Sequence, residues 1–243
     1  SAFIKLFKSR YLLILLILMV SFQYRSLFSD SSIFSTFFGD RINIDIPLRL
    51  SFFDYFSNNL TIPVWDTLLA GGYPLNAMFT GAYYYPINWI LSFFPSVFSF
   101  NISFLISIFI GMFGVYYASR GWNISKTGAA FSVLVWLLLP FSGYAKLINL
   151  DHVSTICWMP GIVALTHRYL MFRQLKYLFI LLIMVAMSLL GGHPTLAFFG
   201  IIACLLFSIL YCLIFLKGVF LIRIRPFLMI NGALMIAFGL ALM

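Results

Sequence analysis

From Leu196 to Leu216 the chain contains no charged residue, and only Gly200 and Ser208 interrupt an otherwise apolar run. A run of this length matches the roughly 20 residues that a helix needs to cross a hydrocarbon core about 30 Å thick. In lipid every backbone N–H and C=O must be paired inside the protein, which leaves helices or closed barrels. A barrel would show short stretches of alternating apolar and polar residues, whereas this run and Tyr11–Val20 are nearly continuous. Composition agrees: 63% hydrophobic and 9% charged residues, with a mean hydropathy of +1.05, lie outside the range of soluble domains. The expected class is all-α and transmembrane, with the lipid bilayer as its first partner. A formal charge of +9 would suggest nucleic acid in a soluble protein. Here the cations sit in small clusters between apolar runs and act as topology signals, so no nucleic-acid partner is expected.

Positive residues favour the cytoplasmic side. Lys5, Lys8 and Arg10 therefore place the N-terminus inside, ahead of a first helix over about 11–28. That run is too long for a signal peptide and lacks a small-residue cleavage site. Further helices are expected over about 102–119, 127–143, 153–167, 177–190 and 195–216, with a seventh starting at Pro226. Of the 15 Lys and Arg residues, only Arg25, Arg41, Arg49 and Lys146 fall outside on this scheme. The helices at 153–167 and 177–190 are short for a full span, which predicts a cavity at the outer face. Cys157, Cys204 and Cys212 lie inside apolar runs without metal-ligand spacing and read as small buried hydrophobes. The chain starts at Ser1 and ends at Met243 within an apolar run, so a portion of a longer protein is expected.

The one long hydrophilic excursion, about 29–99, falls outside. Asp30, Asp40, Asp45, Asp54 and Asp66 all lie in it, and Asp151, the last of the 6 acidic residues, is also outside. The loop is dense in aromatic side chains, which disordered segments lack and membrane interfaces favour. Pro47 suits a first helical turn. Leu48, Phe52, Tyr55 and Phe56 then share one face opposite Arg49, Asp54, Ser57 and Asn58, as expected of an interfacial amphipathic helix. Gly71-Gly72-Tyr73-Pro74 signals a turn, and Tyr83-Tyr84-Tyr85-Pro86 a second break.

The order Gly39-Asp40, Asp45-Ile46-Pro47-Leu48, Ile62-Pro63-Val64-Trp65-Asp66, Gly71-Gly72-Tyr73-Pro74-Leu75, then Tyr85-Pro86 with Asn88 and finally Gly191-Gly192-His193-Pro194, resembles the bacterial YfhO-like membrane proteins. These are similar to polytopic glycosyltransferases of the GT-C class, which take a sugar from a polyprenyl-phosphate carrier outside the membrane. The resemblance implies a GT-C-like polytopic helical bundle in the bacterial cytoplasmic membrane, with Asp40 as the catalytic residue. Asp45 stands where an amide-bearing or small residue is more usual in the family. It also implies a polyprenyl-phosphate sugar donor and an extracytoplasmic acceptor such as a cell-envelope polymer, lipid or protein.

Such a transfer needs a base for the acceptor hydroxyl, compensation of phosphate charge and room for a lipid tail. Asp40 would take the acceptor's proton. Arg41, Lys146, His152 and His193 would offset the phosphate, and Asp45 and Asp151 are further candidates for substrate binding. Trp65 and Tyr73 read either as interface anchors or as sugar platforms, and the lipid would lie among the aromatic loop helices. No cofactor is fixed by the sequence; a divalent cation with Asp40 and a histidine among its ligands is compatible with it. The competing classes are a transporter or flippase for a lipid-linked substrate and a non-catalytic scaffold. Transporters carry ionisable residues in mid-helix, and these helix interiors hold almost none.

Overall fold

The computed structural model describes residues 46–66, 72–74, 81–138, 150–215 and 220–242. The first helix expected over 11–28 lies outside them. The described residues form nine helices: α1 Ile46–Asn59, α2 Pro86–Leu91, α3 Ser96–Gly121, α4 Lys126–Leu138, α5 Leu150–Ile156, α6 Met159–Phe172, α7 Leu175–Leu190, α8 Pro194–Phe215 and α9 Phe220–Leu242. A two-residue antiparallel pairing, β1 Trp65–Asp66 with β2 Tyr73–Pro74, sits in the loop between α1 and α2. Apart from this short pairing, the regular structure of the described residues is all helical. α3, α8 and residues 224–241 of α9 are long and apolar enough to cross a membrane, and α4 and α7 are shorter apolar helices.

Two packed cores divide the bundle. Leu48, Phe52 and Phe53 of α1 join Tyr83, Phe100, Phe104 and Ile108 in one, and α6 to α9 share the other through Leu165, Leu181, Val185, Cys204 and Ile230. All three cysteines are buried and free, as their apolar settings predict. Between helices in lipid, burial brings little hydrophobic gain, so close backbone approach carries the packing. α3 crosses α6 where Gly114 faces Gly161; a Cβ on Gly114 would stand 2.8 Å from the Gly161 nitrogen.

Several boundaries differ from expectation, each for a local reason. α3 starts at Ser96 rather than near 102, because Pro95 supplies its N-cap and Ser99 already lies in the first turn, bonded to the Leu91 carbonyl at 2.6 Å. The span expected over 153–167 is broken. Pro160 lacks an N–H and its ring would clash with the carbonyl of Ile156, so α5 ends at Ile156 and α6 begins at Met159. The Thr155 carbonyl next to this break accepts the Ser188 hydroxyl of α7 at 3.0 Å, the kind of substitute that broken helices in membranes need. α9 begins at Phe220, with Pro226 inside it rather than at its start. α4 is described to Leu138, and the remainder of the helix expected over 127–143 lies outside the described residues.

The loop helix α1 exists where expected, with Leu48 and Phe52 buried and Asp54, Ser57 and Asn58 exposed as expected, but its face is shifted. Its buried face is Leu48, Arg49, Phe52 and Phe53, while Tyr55 is 41% exposed. Arg49 was expected on the solvated face and is fully buried. The partner surface chooses the face: the Phe52 ring meets Tyr83 at 5.4 Å, and Phe56 stacks on Trp89 at the margin.

Candidate functional site

The break between α5 and α6 and the corner between α7 and α8 meet at one point. Gly191 makes the contact: a Cβ there would lie 2.7 Å from the Ser154 carbonyl oxygen and 2.8 Å from the Thr155 nitrogen. Close approach of these two backbones is what sets His152, on α5, beside His193, immediately before α8.

The His152 backbone N–H donates to Asp151 Oδ1 at 2.8 Å, and the ring Nδ1 lies 2.9 Å from the same oxygen. Asp151 is 3% exposed and the His152 side chain 28%. A carboxylate accepting from Nδ1–H fixes the ring's tautomer and places the basic lone pair on Nε2. It also stabilises the imidazolium when that nitrogen takes a proton.

His193 is held differently. Its backbone N–H donates to Thr155 Oγ1 at 3.2 Å, and its Nδ1 accepts the Leu196 N–H at 3.3 Å. The imidazole therefore acts as the N-cap of α8, with Pro194 as the first helical residue, a position where a missing N–H costs nothing. An accepting Nδ1 puts the neutral ring's proton on Nε2. Burial, first of all, and then the neighbouring His152 pull the His193 pKa below the ordinary 6.5, against an opposite pull from Asp151. The two ring centroids stand 4.2 Å apart with the planes at 51°. One imidazole thus carries a lone pair on Nε2 and its neighbour an N–H, a donor and acceptor side by side.

A second polar group involves the same α5–α6 break. Trp158, in the α5–α6 break, donates Nε1–H to the Tyr85 hydroxyl at 3.1 Å. Tyr85 is completely buried, and burial foremost raises its pKa well above the tyrosine norm, so the hydroxyl stays protonated. The guanidinium of Arg49 is close enough to act on it electrostatically. Asn88 is buried below, donating to the Ala82 carbonyl at 3.0 Å and accepting from Ser103 at 3.2 Å. Together these contacts fix the end of the long loop to α3 and to the break.

Of the candidates read from sequence, Asp151, His152 and His193 are brought together. Asp40, Arg41, Asp45 and Lys146 lie outside the described residues, as does the Tyr73 side chain. Trp65 is apart from the histidines on the small hairpin; it is 56% exposed, with its ring against Gly72, whose φ of +124° suits glycine alone. Thr155, Ser188, Tyr85 and Trp158 were not anticipated. Hydroxyl and indole groups of this kind are too common to stand out, although Pro160 could have signalled the break that exposes them. Among the described residues no group of three or more His, Cys, Asp or Glu side chains is arranged to hold a metal ion.

Among the described residues a groove of about 460 Å³ lies on the flank of α3, α6 and α7. Its lining is apolar and runs from Cys157 and Trp158, in the break, to Tyr117 near the end of α3.

No family model matches this chain, and neither the curated proteins nor the solved structures include one similar to it.

Proposed function

We propose that this chain belongs to a membrane glycosyltransferase of the GT-C type, which moves a sugar from a polyprenyl-phosphate carrier to an acceptor at the Asp151 face of the bundle. The observation that carries the reading is the pairing of His152, oriented by Asp151, with His193 at the start of α8. Group transfer from a phosphate requires a proton acceptor for the incoming hydroxyl and donors for the departing anion. The two imidazoles stand within one contact distance as groups for the anion. The α8 N-terminus adds its partial positive charge to the same spot. In this scheme Asp40 is the base, His152 offsets the carrier phosphate when protonated on Nε2, and neutral His193 donates to it from Nε2–H. Asp151 keeps His152 in the required tautomer.

No Asp or Glu lies in α3, α4 or α6 to α9, which supports transfer over transport, because a pump or exchanger needs ionisable groups along its path. After Asp151 the chain contains no Asp or Glu at all. The test is transfer by the full-length protein in proteoliposomes, with labelled polyprenyl-phosphate sugars and with Asp40→Asn beside the wild type. Loss of a general base costs about 10²- to 10⁴-fold, so the variant should fall by at least a hundredfold. Equal rates would remove Asp40 from the mechanism.

A further inference from the structure

The basic end of the bundle has a charge problem that the chain does not solve. Arg120 and Lys126 flank the α3–α4 turn, Arg173 and Lys176 flank the α6–α7 turn, and Arg168 lies one turn before the end of α6. Arg225 of α9 and Arg173 both act electrostatically on Tyr169, so α9 brings its cation to the same end. No Asp or Glu occurs between Asp66 and Asp151 or after Asp151. Among the described residues no salt bridge reaches these cations.

Arg168 is the most constrained of them. Its guanidinium carbon stands 4.1 Å from the centroid of the Tyr117 ring. Its Nε is buried and makes no hydrogen bond among the described residues. Stacking occupies one face of the planar guanidinium and leaves its edge, with several N–H donors, to meet a planar or tetrahedral oxyanion.

Tyr117 is also the last wall of the flank groove. From there the trough passes Phe113, Gly114, Leu165 and Met184 to Trp158. Its volume of about 460 Å³ falls in the usual range for small-molecule sites. Its outer wall is open: Phe113 is 58% exposed and Ile180 40%. In a helical protein of this composition that flank faces lipid. Gly114 and Gly161, where α3 and α6 cross closely, form part of its lining.

We infer that an anionic glycerophospholipid occupies this flank, with one acyl chain in the groove between α3, α6 and α7 and its phosphate on Arg168. Charge complementarity selects the occupant, since Arg168, a cation without a carboxylate partner among the described residues, lies over Tyr117 at the end of an apolar trough. A zwitterionic lipid would fill the trough but bring its own cation to the same mouth. This inference is independent of the proposed glycosyl transfer.

The test is native mass spectrometry of the intact protein released from nanodiscs containing equal parts phosphatidylglycerol and phosphatidylcholine. One cation at a membrane surface favours an anionic lipid by roughly fivefold, so the wild type should retain phosphatidylglycerol over phosphatidylcholine by about that ratio or more. Arg168→Gln should abolish the preference. Ile180→Trp, which fills the exposed side of the trough without altering charge, should reduce the lipid retained. Equal retention of the two lipids by the wild type would overturn the inference, as would an unchanged preference in Arg168→Gln. An unchanged amount of lipid in Ile180→Trp would show that rim charge alone attracts it, which also contradicts a seated chain. Preferential retention of undecaprenyl phosphate over phosphatidylglycerol in a competing nanodisc would assign the groove to the carrier lipid instead.

Discussion

The ring of His193 lies 4.2 Å from that of His152, although one residue caps α8 and the other belongs to α5. Two imidazoles this close resist carrying charge together, and their hydrogen bonds divide the labour. Asp151 holds the His152 ring through Nδ1, while burial foremost lowers the His193 pKa and its Nδ1 accepts the Leu196 N–H.

Protonation of His193 should therefore destabilise the fold. Its folded pKa is depressed below the ordinary 6.5, chiefly by burial. The unfolded chain then binds the proton first as pH falls. The folded state is fully favoured above the unfolded value, loses stability from about pH 6.5 down to the folded pKa, and levels off below it. Melting temperatures in detergent between about pH 8 and about pH 5 span this window. His193→Asn retains a capping oxygen and removes the titration, so its curve should be flatter than the wild type's through that interval. Superimposable pH profiles would mean that His193 does not set the dependence.

Gly191 should tolerate no side chain. A Cβ there meets backbone atoms of Ser154 and Thr155 at 2.7–2.8 Å, and backbone cannot rotate away. Gly191→Ala should cost about 1–3 kcal/mol, the range for overpacking, and push His193 off Thr155. Gly232 is the control, with nothing within 4 Å of an added Cβ. Gly232→Ala should be neutral or stabilising by up to about 1 kcal/mol, from helix propensity. Denaturation of the two variants in mixed micelles separates them, and an equal effect would contradict the close approach.

The apolar helices were legible because length and hydropathy alone define them: α8 is expected over 195–216 and found at Pro194–Phe215. The break inside 153–167 was written in Pro160 but outweighed by the apolar run around it. The face of α1 was legible in part: Leu48 and Phe52 are buried and Asp54, Ser57 and Asn58 exposed as expected, whereas Tyr55 and Arg49 are exchanged. Periodicity orients a helix only relative to itself, and the contact with Tyr83 that buries Arg49 comes from a distant part of the chain. In the candidate site, ionisable residues at helix ends drew notice to Asp151, His152 and His193. Thr155 and Ser188 gave no such signal, because their roles follow from a carbonyl and an N–H that only the folded corner brings within reach.

Asn88 should prove structural. Its amide joins the Ala82 carbonyl to the Ser103 hydroxyl in a fully buried setting. Asn88→Leu leaves both partners buried without it, at a cost of about 1–3 kcal/mol. The same unfolding measurement reads this loss. A variant as stable as the wild type would show that water or a rearranged loop replaces the amide.

The central claim is that His152, positioned by Asp151 and paired with His193, takes part in group transfer. Its most direct test is the initial rate of sugar transfer from labelled polyprenyl phosphates by full-length protein, wild type against His152→Gln, with Asp54→Asn as an exposed control on α1. The account predicts transfer by the wild type, a fall of about a hundredfold or more in His152→Gln, and a near-normal rate in Asp54→Asn. Transfer from no donor, or a wild-type rate in His152→Gln, would contradict it.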